Sequence, residues 1–247
     1  QAVKRVEDKV LITGTGNFTD DVNIGEGLVT HFVRSAYAHA NVNYINFEEA
    51  SKLPGVQLIA IQKDLDKENI GEIECLDFVT NSDGSEISPT ARPPMARGVV
   101  RSAGDIVAMV IAETREQALD AAELIEIEYD AMPVVVDTKS ALAPNAPQLY
   151  SEYPGNKVFH WQAGNHEQTM EQFKTACIPE DTIVELSVTN NRIAPNAMEM
   201  RQIVAMPHPN AEDQSELLIW CGTQGTVSLS RQISKALNMP REKVHLR

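Results

Sequence analysis

Histidines, cysteines, hydroxyls and carboxylates are the residues to test first for chemistry. The six histidines stand at positions 31, 39, 160, 166, 208 and 245, and no two are spaced i, i+4, the interval that lets one helix face hold a metal. A metal site built from this chain alone is therefore not expected. His160 and His166, six residues apart in a polar stretch, read as solvated loop residues rather than ligands. Cys75, Cys177 and Cys221 are widely separated, with no Cys-x-x-Cys motif, which suits reduced thiols in a reducing compartment such as the cytoplasm. Ser35 and the serines of 228–234 lack a Gly-x-Ser-x-Gly elbow and an evident base. The segment Thr13-Gly14-Thr15-Gly16-Asn17-Phe18 has the look of a phosphate loop, but a dinucleotide fingerprint needs glycine at position 19. Thr19 stands there, and Asp20-Asp21 behind it would repel a pyrophosphate. A plain turn fits better.

The elements that must position any site follow from periodicity. Residues 10–12 read as a short strand entering that turn, and 28–33, 41–47 and 58–61 as further strands, with a short helix before Pro54-Gly55. Residues 63–97 read as an irregular excursion, with Asn81-Ser82-Asp83-Gly84-Ser85 as a turn and Pro89, Pro93 and Pro94 breaking regular structure. Residues 106–112 form a continuous apolar run of strand length. Thr114 caps the helix behind it, and Gln117 completes a capping box. Ala118, Ala121, Ala122 and Ile125 give that helix one apolar face, and 125–129 then alternates as a half-buried strand, completing a compact α/β unit. Residues 137–164, rich in proline, connect two domains. Beyond them 181–190, 203–206, 217–220 and 244–246 read as strands, and Leu229, Ile233, Ala236 and Leu237 mark one face of a helix ending near Asn238.

Composition narrows the function classes. The chain has 247 residues, 43% of them hydrophobic, enough for one large domain or two modest ones. A net charge of -14, spread over clusters such as Glu48-Glu49, argues for solubility and against nucleic acid, which is bound by clustered Lys and Arg. No apolar run approaches the ~20 residues that span a bilayer. The chain opens on Gln1 without an apolar signal core, so a trimmed leader is compatible with it.

An ordered series of blocks resembles a known family. Arg5-Val6-Glu7-Asp8 with Leu11 to Asp21, then Phe32-Val33-Arg34-Ser35-Ala36-Tyr37-Ala38-His39-Ala40, then Leu53-Pro54-Gly55-Val56 with Lys63-Asp64-Leu65, are similar to the opening of molybdenum hydroxylase large subunits of the xanthine dehydrogenase, aldehyde oxidase and carbon monoxide dehydrogenase type. Arg92-Pro93-Pro94-Met95-Ala96 and Ile127-Glu128-Tyr129-Asp130-Ala131-Met132-Pro133 continue the series. Asn190-Asn191-Arg192, Ala197-Met198-Glu199-Met200-Arg201 and Trp220-Cys221-Gly222-Thr223-Gln224 extend it past the connection. The family commonly has Pro-Met-Glu-Pro-Arg in place of residues 197–201 and a Pro-His pair after the glutamine, where this chain has Gly225-Thr226-Val227.

The resemblance implies an α+β fold: an a/b hammerhead domain over 1–136, the connection 137–164, and over 165–247 the N-terminal part of the first molybdopterin-binding domain. It implies a parent enzyme that oxidises an aldehyde, an N-heterocycle or carbon monoxide with water-derived oxygen at a molybdopterin-type molybdenum cofactor. Iron-sulfur and FAD subunits or domains would serve as partners, in a homodimer of heterotrimers. Gln224 is the one residue it assigns to the cofactor, by approach of its amide to the molybdenum oxo ligand; the alternative role is to cap the following helix. Glu199 and Arg201 are expected to form a structural ion pair. The family's Gly-Gly-Gly-Phe-Gly segment and catalytic Glu have no counterpart in residues 1–247, so this chain supplies no catalytic residue and is expected to be inactive alone. The rival reading is a non-catalytic hammerhead scaffold or assembly protein.

Overall fold

The computed structural model describes residues 3, 5–75, 79–87, 92–175, 183–194, 196–197, 199–209 and 216–247. In chain order the helices are α1 (Asp8–Ile12), α2 (Gln62–Lys67), α3 (Arg115–Glu123), α4 (Thr138–Ala141), α5 (His166–Thr175) and α6 (Thr226–Ala236). The strands are β1 (Val29–Arg34), β2 (Ala40–Asn46), β3 (Val56–Ala60), β4 (Val99–Val100), β5 (Ile106–Ala112), β6 (Glu126–Ala131), β7 (Ile203–Pro207), β8 (Leu217–Cys221) and β9 (Val244–Leu246). The mixture is the α+β class expected from the sequence.

Three three-stranded sheets result, ordered β1-β5-β3, β4-β2-β6 and β7-β8-β9. The first two are antiparallel, and β5 is the centre of the first. Its unbroken apolar run reflects burial on both faces: Val110 and Ala112 enter one core with Ala50, Ile59, Ala118 and Ala121, and Val107 enters a second with Ala40 and Val100. Val33 packs against both. Helix α3 lays Ala118 and Ala121 onto the first core and is capped as the sequence indicates: Thr114 Oγ1 accepts from Gln117 N at 3.3 Å, and Thr114 N donates to Gln117 Oε1 at 3.0 Å. The Gln117 amide lies over Gly55, whose φ of +80° only glycine adopts readily and where a Cβ would collide with that amide.

Several elements differ from expectation. Residues 10–12 lie in helix α1, because an isolated strand here has no ladder to join. A helical turn satisfies its backbone locally, with Leu11 N donating to Glu7 O and Thr13 Oγ1 to Lys9 O. The excursion 63–97 contains α2, started by Asp64, whose carboxylate accepts from Ile61 N at 3.2 Å. Strands β5 and β6 enter different sheets, so the strand-helix-strand run is not one βαβ layer. Residues 183–190 form no strand, and 181–182 lie outside the described residues. By contrast β8, α6 and β9 do make a βαβ unit: β9 pairs in parallel with β8, and β7 pairs antiparallel on its other side.

Val110 is fully buried and Leu58 is 49% exposed on the neighbouring strand. Val110→Ala should cost about 2 kcal/mol in denaturant unfolding, through lost burial and a residual cavity. Leu58→Ala should cost under about 1 kcal/mol. Equal losses would contradict β5 as the centre of the core.

Candidate functional site

Gln224 sits in the loop that leaves the carboxyl end of β8 and enters α6. In βαβ units this is where ligands gather, because strand ends and the first turn of the following helix meet there. The residue is exposed, and its side chain makes no hydrogen bond to the described residues. Nor does it cap the helix: the N-cap is Gly225, and α6 has no side-chain cap. The loop is held by its other members. Gly225 N donates to Thr223 Oγ1 at 3.2 Å, and Ser228 Oγ donates to Gly225 O at 2.9 Å. The unengaged, uncharged amide fits a contact to a cofactor, since it can donate or accept without titrating.

Behind this loop lies a cleft lined in part by Phe18, Thr19, Glu199, Trp220, Gly222 and Arg247. Buried Thr19 donates from both its backbone N and its Oγ1 to Glu199 Oε1, at 3.3 and 3.2 Å. On its far side the carboxylate rests against Gly222, where a Cβ would stand 3.1 Å from Glu199 Oε2. Glu199 thus ties the segment ahead of β1 to the loop that carries Gln224. The expected Glu199–Arg201 ion pair is absent among the described residues: residue 199 lies in a bend that turns its carboxylate to Thr19 and Gly222, and Arg201 is exposed. Nothing in sequence marks a contact across 180 residues. Burial pushes the Cys221 thiol up, so it stays neutral beside the loop.

The far end of α6 is also tied down. Its final carbonyls are bonded in a Schellman arrangement, Met239 N to Ser234 O at 2.9 Å and Asn238 N to Lys235 O at 3.2 Å, with Asn238 at φ +51°. The next carbonyl, Ala236 O, accepts from Gly71 N at 2.6 Å, a donor from the segment that follows α2. That segment also accepts Asn238 Nδ2 at Asn69 O, 2.6 Å, and pairs Glu74 with Lys235. It is braced by Arg97, which bridges Asp66 at 2.8 Å and Glu72 at 2.5 Å. The Arg97 hydrogen bond, helped by one from Gln62, holds the Asp66 carboxyl below the usual carboxylate range.

Four of the histidines make contacts that tie segments together. His39 Nδ1 and Pro133 O are 2.8 Å apart. His160 joins the connecting segment to the turn at 81–85 through its ring, N and O, bonded to Ser82 and Asn81. His245 meets Glu216 at 2.8 Å and packs against His208, with ring centroids 4.6 Å apart and planes tilted by 47°. His166 opens α5, apart from His160. Among the described residues no three His, Cys, Asp or Glu side chains come together as a metal site. Cys75 and Cys221 are free thiols, and Cys177 lies outside the described residues.

Residues 13–133 match the a/b hammerhead domain of aldehyde oxidase and xanthine dehydrogenase, and residues 149–247 match the molybdopterin cofactor-binding domain. The two domains in this order define the class, a molybdopterin-binding large subunit. The carbon monoxide dehydrogenase large chain of Afipia carboxidovorans is 29% identical over 98% of this chain and 29% of its own length. The 6-hydroxypseudooxynicotine dehydrogenase complex subunit gamma of Paenarthrobacter nicotinovorans is 30% identical over 100% of this chain and 30% of its own. Among solved structures, quinoline 2-oxidoreductase from Pseudomonas putida 86 superposes with a TM-score of 0.82 at 28% identity, covering 99% of this chain and 29% of that one. The chain belongs to the molybdenum hydroxylase large-subunit family, and it spans under a third of the length of these relatives.

A hydrogen bond to a carboxylate contributes about 1.5–3 kcal/mol. Glu199→Ala should therefore speed hydrogen exchange at the Thr19 amide by at least about tenfold. Unchanged exchange would show that residues 18–22 are held by something else.

Proposed function

We propose that these residues are the N-terminal part of the cofactor-binding subunit of a molybdenum hydroxylase, and that Gln224 is this chain's contact with the cofactor. The parent enzyme oxidises an aldehyde, an N-heterocycle or carbon monoxide, with oxygen derived from water. The observation that carries the reading is the placement of Gln224: an exposed amide without a partner among the described residues, between β8 and α6 of the βαβ unit, in a chain matched along both domains. The names of the relatives, a large chain and a complex subunit, support further subunits, which we read as iron-sulfur and FAD partners in a homodimer of heterotrimers. Among the described residues no helix is long and apolar enough to cross a membrane. We place the enzyme in the cytoplasm on the reading of its cysteines as reduced thiols.

When bound, the molybdenum cofactor supplies the two-electron redox chemistry. The part of this chain is to orient it. Gln224 offers an amide N–H whose charge is the same at every working pH, so its hydrogen bond tunes the cofactor without adding a proton of its own. Gly222 and Gly225 flank Thr223-Gln224 without side chains of their own, and Glu199 fixes the loop from behind. The base for the reaction is a Glu from outside residues 1–247, so this chain alone turns over nothing.

In the full-length enzyme Gln224→Ala should retain molybdenum while kcat falls by about 10- to 100-fold, the usual cost of losing a residue that orients a metal centre. Retained kcat together with an unchanged molybdenum electron paramagnetic resonance signal would contradict the assignment. Purified residues 1–247 should carry no stoichiometric molybdenum by metal analysis, whereas stoichiometric metal would show that the cofactor site is complete within them.

A further inference from the structure

We propose that the hammerhead domain supplies the C-terminal cap of α6 through residues 69–75 and thereby positions Gln224 at the other end of the helix. This rests on the assignment of Gln224 to the cofactor. Gly71 and Asn238 are the positioning residues.

Every α-helix ends with carbonyls that have no partner within the helix. In α6 the turn at Asn238 and Met239 satisfies Ser234 O and Lys235 O, and the next orphan, Ala236 O, is satisfied from the other domain by Gly71 N at 2.6 Å. Gly71 is close enough that an added Cβ would stand 3.4 Å from both Ala236 Cα and Ala236 O and 3.6 Å from Lys235 O. A Cβ there would already be in van der Waals contact with the helix end, so a bulky branched side chain crowds it. Asn238 returns the contact by donating from Nδ2 to Asn69 O at 2.6 Å, and Lys235 pairs with Glu74.

The cap is rigid on its own side. Gln62, 3% exposed, accepts from Met95 N at 2.8 Å and donates to Asp66 at 2.8 Å, and Arg97 joins Asp66 to Glu72. These bonds brace the segment that ends in residues 69–75 against the rest of the hammerhead domain. The helix is a rod of eleven residues, about 16 Å at 1.5 Å per residue. Contacts with β9 set which face of α6 meets its sheet, whereas an end contact limits how far the helix slides or pivots. A shift at Ala236 therefore reappears at Gln224, which directly precedes the N-cap.

The test uses the full-length enzyme and three variants. Gly71→Leu adds bulk where an added Cβ already touches the helix end, and Asn238→Gly removes one interdomain hydrogen bond while keeping a residue that tolerates positive φ. Gln224→Ala reports what loss of the amide itself does. Each is measured for kcat, KM, molybdenum content, the molybdenum electron paramagnetic resonance signal and hydrogen exchange in α6.

For Gly71→Leu we expect kcat lower by about tenfold, the scale of a misplacement smaller than about 1 Å, with KM and molybdenum content retained. Its resonance signal should shift in the same sense as that of Gln224→Ala, and exchange in the last turn of α6 should quicken. Asn238→Gly should move the same readouts less, with kcat down about threefold, the scale of one hydrogen bond. If Gly71→Leu does not fold, Asn238→Gly decides alone. Wild-type kcat and signal in the capping variants, beside a shifted signal in Gln224→Ala, would overturn the positioning role and leave the Gln224 assignment standing. Retained kcat with an unchanged signal in Gln224→Ala would overturn both.

Discussion

The backbone groups at the two ends of α6 are the constraint on which the site depends. At the C-terminal end a left-handed Asn238 and an amide from Gly71 satisfy the last carbonyls. At the N-terminal end Gly225 offers no side-chain cap, and the residue before it is an exposed glutamine with no partner among the described residues. One end is closed by the other domain and the other is left open. A helix so arranged is fixed at its C-terminal end, with an exposed amide ahead of its N-terminal end.

That support depends in turn on a well-packed hammerhead domain. Strand β5 is buried on both faces, so its valines connect the core under α3 with the core beneath β2 and β6. The buried Gln62 amide then carries the order of this core outward to Asp66, Arg97 and Glu72. The Arg97 ion pairs are exposed enough that each contributes little to stability on its own. Their effect is geometric: they set the direction in which residues 69–75 leave α2. Glu199 performs a similar task for the loop that carries Gln224, drawing the buried Thr19 and Gly222 to one carboxylate.

Local chemistry was legible in the sequence. The apolar run at 106–112, the Thr114–Gln117 capping box and the helix ending near Asn238 follow from periodicity and capping rules, and each is found where it is read. Short elements were harder. Residues 8–12 and 62–67 carry too few turns for a period, and whether they become helices is decided by hydrogen bonds such as Ile61 N to Asp64. Residues 183–190 alternate like a strand, yet a strand also needs a neighbour, which a one-dimensional pattern does not specify. The long-range contacts, Thr19 with Glu199 and Gly71 with Ala236, left no local trace. The assignment of Gln224 rests on resemblance to a family and remains a proposal, because a lone glutamine in a polar loop has no chemistry of its own to announce.

We propose that these residues work as one part of a molybdenum-dependent large subunit. This is tested most directly by isolating the protein from its natural source and measuring the mass of the intact polypeptide together with its molybdenum content. The expected result is a polypeptide much longer than these 247 residues that retains molybdenum in stoichiometric amount. A native product of 247 residues, free of molybdenum, would contradict it and favour a non-catalytic scaffold built on the hammerhead domain.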